Sequence, residues 1–179
     1  MDPITLLIVC PLVFLAMLVD AIAGGGGLIS LTAYLVAGLP PHVALGTNKV
    51  SSAIGTVVAT ARFAKSGLIK IKLAIPAVIF ALAGSAIGAK VALHTPDGVI
   101  QMIMVFALPV VAFFVLRKRA LDVSAAAIST KKQVAIIAIS SFFIGMYDGF
   151  YGPGTGTFML LAFTAAAKLP VREANGEVK

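Results

Sequence analysis

The amino-acid sequence predicts an all-α integral membrane protein that crosses the bilayer several times and contains two internal repeats. Of its 179 residues, 60% are hydrophobic and 12% are charged, whereas a soluble domain carries about 25% charged residues. Long uncharged runs follow one another along the chain, and glycine-rich segments interrupt them at two matching places. The composition argues against a soluble enzyme, a disordered tail or a disulfide scaffold, and Cys10 is the single cysteine of the sequence.

Uncharged apolar runs mark the expected helices in order. These runs are 4–19, 21–41, 50–61, 73–89, 98–116, 133–147 and 149–167. The third extends to 43–61 if Lys49 lies within the membrane. A helix of about 20 residues spans the hydrocarbon core of a bilayer, so the chain has room for about five or six crossings. We expect helices throughout because backbone groups in lipid must be hydrogen-bonded within their own segment.

The net charge of +7 comes from basic residues that cluster in two connections, at 62–72 and 117–132. Loops rich in Lys and Arg stay on the cytoplasmic side of a membrane, so we expect both connections to be cytoplasmic. Because this orienting role accounts for the basic residues, we expect no nucleic-acid partner. The runs 73–93 and 98–116 would then form a pair that crosses out and back. The segment Gly84-Ser85-Ala86-Ile87-Gly88 has small residues four apart, which predicts close helix packing.

The chain contains a duplicated pattern of an acid, a glycine break and a Leu-Pro pair. Asp20 matches Asp148 at an offset of 128, and Leu39-Pro40 matches Leu169-Pro170 after a shift of two residues. We expect residues 1–128 to form a first transmembrane repeat and residues 129–179 to begin a second one. The counterpart of residues 50–128 would then be missing, which predicts a fragment of a protein of about 250 residues.

Whether each repeat crosses the membrane an odd or an even number of times decides whether the two repeats have inverted or parallel orientations. If each broken segment makes two passes, a repeat has five passes and the copies insert with inverted topology; if it makes one, the copies are parallel. An acidic amino terminus and basic residues near Lys179 favour the inverted arrangement, and both stay open.

The two glycine breaks are the candidate substrate site. Unwound backbone within a membrane occurs where it lines a cavity or is buried in protein, and a helix that restarts after a break directs free amides at an anion. Glycines that merely permit close helix crossing are the alternative. The candidate residues of the breaks are Gly24, Gly25, Gly26, Gly27, Gly152, Pro153 and Gly154.

Charged and polar residues within the apolar runs complete the candidate site. Asp20 and Asp148 are acids at membrane depth, which predicts proton coupling, although each could instead cap a helix or lie at the interface. Lys49 would face a cavity and offer a positive charge to an anion, pair with an acid or reach to the interface, and Lys179 matches it in the second repeat. The hydrogen-bond groups beside Lys49 are those of Thr47, Asn48, Ser51 and Ser52.

The residues that carry these features resemble a known family. Asp20 to Leu28 and Ala44-Leu45-Gly46-Thr47-Asn48-Lys49 look like the first repeat of the sulfite exporter TauE/SafE family, and Tyr147 to Gly156 looks like its second repeat. The resemblance implies a permease of the bacterial inner membrane for small sulfur-containing anions such as sulfite or organosulfonates. The family pattern normally continues past Lys179, so the resemblance also implies that this chain is a fragment of a longer transporter.

The sequence thus favours a membrane transporter that exports a small inorganic or organosulfur anion, coupled to protons, with the lipid bilayer as its surroundings. Two alternatives stay open: a nonfunctional truncated fragment or membrane scaffold, and an intramembrane serine enzyme that uses Ser51 or Ser52 with Lys49. We expect no cofactor and no metal, because neither break is a nucleotide loop and the two histidines lie far apart. The oligomeric state is open, with a homo-oligomer as one alternative.

Overall fold

The computed structural model describes residues 3–23, 26–116 and 128–178, and these residues form helices joined by short turns. The helices are α1 (Pro3–Ala23), α2 (Gly26–Val36), α3 (Pro41–Lys65), α4 (Ile71–His94), α5 (Asp97–Leu116), α6 (Thr130–Phe150), α7 (Thr155–Leu161) and α8 (Val171–Val178). A single π-helical turn, Ala162–Ala166, extends α7. The all-α class is confirmed.

One order of elements occurs twice along the chain. A long helix, a glycine break, a short helix and a Leu-Pro turn lead into the next helix, first as α1–α2–α3 and later as α6–α7–α8. The two Leu-Pro turns form matching hydrogen bonds, from Ala44 N to Pro40 O and from Ala174 N to Pro170 O, each 2.9 Å long. Both alanines are fully buried. The sequence match therefore corresponds to a match in local structure.

The helix lengths and surfaces suit a lipid environment. Among the described residues, α4 and α6 are long and apolar enough to cross a membrane, and α1, α2, α5 and α7 contain shorter apolar stretches. Large apolar side chains are exposed along α4, among them Val78, Leu82 and Leu93. An apolar surface of this kind is stable against acyl chains and costly in water.

Helices α4 and α6 make the most extensive contact in the described structure. A Cβ atom added at Gly84 would lie 2.1 Å from Phe142 O, and one added at Gly88 would lie 2.0 Å from Met146 O. From α6, a Cβ at Gly149 would lie 2.0 Å from Ser85 O. The backbones of the two helices therefore touch directly, which confirms the predicted packing role of the small residues. The main partner of α4 is α6, whereas α5 packs against α3.

Buried apolar residues of the described structure form two clusters. The first joins α1, α2, α3 and α5 with Tyr151 of the second glycine break, through Val9, Leu31, Tyr34, Ala44, Leu45, Ile100 and Met104. The second joins α4, α6, α7, the π-helical turn and α8, through Leu73, Ala77, Ile137, Leu160, Phe163, Ala167, Leu169 and Ala174. The first cluster thus contains residues from both broken segments, whereas the second contains residues of α4 and of the second broken segment.

His42 connects the start of α3 to the turn between α4 and α5. Its Nε2 lies 3.0 Å from Ala92 O, and its Nδ1 contacts the Asp97 carboxylate. Both partners accept hydrogen bonds, so a ring that donates from both nitrogens satisfies both contacts. The bond to the Ala92 carbonyl and the bond to Asp97 raise the pKa of His42 above its usual value.

Polar contacts hold α8 against the connection between α3 and α4. The Lys70 Nζ lies 2.6 Å from Glu173 Oε2, and the Lys70 backbone N–H donates to Glu177 Oε1 over 2.5 Å. A Cβ on Gly176 would lie 2.8 Å from Leu68 O, so this helix also approaches its neighbour's backbone closely. The element that follows the second Leu-Pro turn is therefore fixed to the connection after α3.

The glycine contact between α4 and α6 yields a stability prediction. Gly84→Ala should lower the free energy of unfolding by about 1–3 kcal/mol, because the added methyl group forces two backbones apart. Gly55→Ala in α3 is the matched control, since a Cβ there meets nothing within 4 Å. Thermal unfolding of the detergent-purified protein measures both changes. Equal melting temperatures for the two variants would contradict the packing.

Candidate functional site

A cavity of about 530 Å³ lies where the second glycine break faces α3, α4 and α6. Gly27 of the first break also lines it, so both breaks reach the same space. Its polar side chains come mainly from α3, with one each from α4, α6 and α7, and they are Asn48, Lys49, Ser52, Thr56, Ser85, Asp148 and Thr155. Val57, Leu82 and Met159 form apolar parts of the wall.

An ion pair between Lys49 and Asp148 crosses this cavity. The Lys49 Nζ lies 2.7 Å from Asp148 Oδ1, and the two side chains are 35% and 34% exposed. The pair joins α3 to the last turn of α6, which are elements of the two different broken segments. A charge in a membrane-spanning protein is costly unless it is paired, and here the lysine and the aspartate neutralise each other.

The backbone of the second break is shaped by two glycines around a proline. Gly152 and Gly154 have φ angles of +99° and +85°, which residues other than glycine rarely adopt. The Tyr147 hydroxyl donates to Pro153 O over 2.7 Å, and the Thr155 hydroxyl donates to Gly152 O over 2.5 Å. The break is therefore a defined turn, and it ends the α6 helix just after Asp148.

Gly152 also provides space for the lysine. A Cβ atom on Gly152 would lie 2.5 Å from Lys49 Nζ and 3.1 Å from Lys49 Cε. The ammonium group therefore lies directly against the backbone of the break. A side chain at this position would therefore require the lysine end group to shift.

Helix α2, which follows the first break, contacts α3 through a buried hydrogen bond. Ser30 Oγ donates to Asn48 Oδ1 over 2.5 Å, and Ser30 and Asn48 are 0% and 4% exposed. The Asn48 Nδ2 lies 3.4 Å from the position that a Cβ on Gly27 would take, and Pro153 Cα lies 3.7 Å from it. The two breaks are thus neighbours at this point, with the Asn48 amide beside them.

The structure brings together most of the candidate residues that it describes. Gly27, Asn48, Lys49, Asp148, Gly152, Pro153 and Gly154 all line the cavity. Gly26 is buried without being part of the wall, and Thr47 lies off it because it is two residues, about 200° of helix rotation, from Lys49. Asp20 lies in the last turn of α1, and its role stays a prediction. Gly24, Gly25 and Lys179 lie outside the described residues.

Other residues at the site were not predicted. Ser30, Thr56 and Ser85 are single hydroxyls within apolar helices, and hydroxyls there commonly bond to their own helix, so the sequence does not distinguish them. Pairing of Lys49 with an acid was one of the expected alternatives, but the sequence did not identify Asp148 as that acid, because the two residues lie far apart in the chain. The two serines that follow Lys49 lie in different surroundings. Ser52 lines the cavity, whereas Ser51 Oγ lies 3.3 Å from the Tyr34 hydroxyl.

The amino-acid sequence of this chain matches a known protein family. The sequence model of the sulfite exporter TauE/SafE proteins matches residues 9–178. The chain belongs to the sulfite exporter TauE/SafE family. The match includes both glycine breaks and both members of the ion pair.

Bacterial relatives of this TauE/SafE chain are named as probable membrane transporter proteins. ORF9 of Sinorhizobium sp. is 36% identical over 167 residues, which cover 93% of this chain and 63% of the relative. A Haemophilus influenzae protein is 33% identical, with 83% and 58% covered, and YfcA of Escherichia coli is 30% identical, with 94% and 63% covered. The chain therefore spans about three fifths of the length of these relatives. No solved structure matches it.

Gly152 provides a test of the site's geometry. Gly152→Ala should lower the free energy of unfolding by roughly 1 kcal/mol more than Gly38→Ala, because the methyl group meets the Lys49 ammonium at 2.5 Å and forces it to shift beside Asp148. Gly38→Ala is the matched control, since Gly38 also has a positive φ, of +81°, but a Cβ there meets nothing within 4 Å. Both variants carry the backbone strain, of order 1 kcal/mol. Thermal unfolding should be measured for both, and equal melting temperatures would contradict the clash.

Proposed function

We propose that this chain forms the substrate site of a membrane transporter that exports a small anion, either sulfite or an organosulfonate. The observation that carries this proposal is the Lys49 ammonium in a cavity bordered by both glycine breaks. The whole transporter would lie in the bacterial inner membrane as a multi-pass protein. Its site would lie between two repeats, residues 1–128 and a second repeat that begins at residue 129, as in other duplicated transporters.

An anion is the substrate class that the lining chemistry favours. Lys49 supplies a positive charge, and the Asn48 amide supplies hydrogen-bond donors beside the start of α2. Hydroxyls of Ser52, Thr56 and Ser85 add further donors. Charge-assisted hydrogen bonds from such groups suit the oxygens of a sulfite or sulfonate group, and the apolar wall suits a short organic substituent.

Asp148 gives this site a means of coupling anion movement to protons. In the resting site Asp148 neutralises Lys49, so an incoming anion must replace the carboxylate as the lysine's partner. The displaced carboxylate then lies in a cavity of low polarity without a counter-ion, and uptake of a proton from water removes its charge. The anion and the proton would therefore enter the site together. Asp20 would act in the matching position of the first broken segment.

The first test concerns Lys49. Lys49→Ala should lower sulfite efflux from loaded proteoliposomes by about 10- to 100-fold, because a charge-assisted contact is worth about 1.5–3 kcal/mol. Lys65→Ala is the matched control on the same helix, since Lys65 is exposed and lies off the cavity wall. Normal flux in the Lys49 variant, with normal membrane insertion, would remove this residue from the site. Absence of sulfite and organosulfonate flux in the unmodified protein would overturn the proposed function itself.

The second test concerns the proton. Flux of an organosulfonate, whose own charge is constant across about pH 5 to 8, should fall as the pH rises in the unmodified protein, because Asp148 must take up a proton. Asp148→Asn, which is neutral at every pH, should make the flux independent of pH. Glu173→Gln, a carboxylate change off the cavity wall, should leave the pH dependence intact. A pH profile unchanged by Asp148→Asn would exclude this carboxyl as the coupling group.

A further inference from the structure

The contact between Ser30 and Asn48 lies in the interior of the protein, where unpaired polar groups are costly. Ser30 is fully buried one turn into α2, and Asn48 is 4% exposed on α3. Their 2.5 Å hydrogen bond joins the half-helix after the first break to the helix that carries Lys49. Buried side-chain polar groups are nearly always hydrogen-bonded, so this pair has restricted freedom to rearrange.

In this contact the Asn48 amide directs its oxygen towards the Ser30 hydroxyl. A primary amide has an acceptor oxygen on one branch and two N–H donors on the other. Ser30 Oγ binds the oxygen, and its other acceptors, Gly26 O at 3.2 Å and Gly27 O at 3.4 Å, are more distant. The Nδ2 branch therefore lies on the side of Gly27, which lines the cavity. A reversed amide would present an acceptor to the cavity in its place.

We infer that Ser30 is a positioning residue that sets the preference of the site for anions. By holding the amide oxygen of Asn48, it leaves the amide donors for the substrate next to the Lys49 ammonium. Donors on this branch bind oxyanions, whereas an oxygen on this branch would repel them and accept hydrogen bonds from cations. This inference rests on the proposed anion transport.

A substitution series in the full-length protein tests the role of Ser30. Ser30→Ala removes the donor that holds Oδ1, so the amide can reverse; we expect the KM for sulfite to rise about tenfold while kcat stays within about twofold. Ser30→Thr retains a hydroxyl at the same place and should restore the KM. Asn48→Asp replaces the donors by a second acceptor and should abolish sulfite binding.

Thr32→Ala is the matched control in the same helix. The Thr32 hydroxyl donates to Leu28 O, four residues earlier, and Thr32 lies off the cavity wall. Its loss should therefore leave both KM and kcat unchanged. Membrane insertion and thermal stability are measured for every variant, and so is the increase in melting temperature on adding sulfite, which reports binding without transport.

Two results would overturn the inference while leaving anion transport intact. One is an unchanged KM in a folded Ser30→Ala variant. The other is a fall in kcat and stability with no separate change in KM or in stabilisation by sulfite, since this pattern is expected of a purely structural residue. If the unmodified protein neither moves sulfite or an organosulfonate nor is stabilised by either, the proposed function itself fails, and the inference fails with it.

Discussion

The ammonium group of Lys49 lies against the backbone of Gly152 and 2.7 Å from the Asp148 carboxylate, and much of the site's arrangement depends on this contact. It satisfies two charges that would otherwise be costly inside an apolar protein. It also favours a glycine at Gly152, because a Cβ there would force the lysine end group to shift and the backbone has a φ of +99°. This ion pair thus connects α3 to the last turn of α6.

The position of Asp148 in turn depends on the packing of α4 against α6. Gly149, the next residue, lies against Ser85 O of α4, so the end of α6 that carries Asp148 has little freedom to move. Ser85 and Gly145 at this same contact line the cavity. The close approach of two backbones therefore serves both stability and the geometry of the site. Lys49 is the more adaptable partner, because its flexible side chain can follow a substrate while α6 stays in place.

Much of the fold follows from local properties of the chain and was predictable. Uncharged runs of helical length, two glycine breaks and two Leu-Pro turns determine where helices begin and end. Small residues four apart on α4 correctly predicted a close contact, although the sequence alone did not identify α6 as the partner. The predicted site residues were chosen because charges and glycines are rare in apolar runs. Thr47 was included for its place beside Lys49, but the helical rotation turns it off the cavity wall.

The sequence by itself determined the all-α class, the order of the helices, the two breaks and the rare charged residues, because these depend on neighbours along the chain. The tertiary structure alone decided that Lys49 pairs with Asp148, that Ser30 holds the Asn48 amide and that Gly27 and Pro153 are neighbours. Each of these contacts joins residues far apart in sequence. Their formation depends on which helices pack together and in what rotation, and hydropathy and spacing carry no information about that choice.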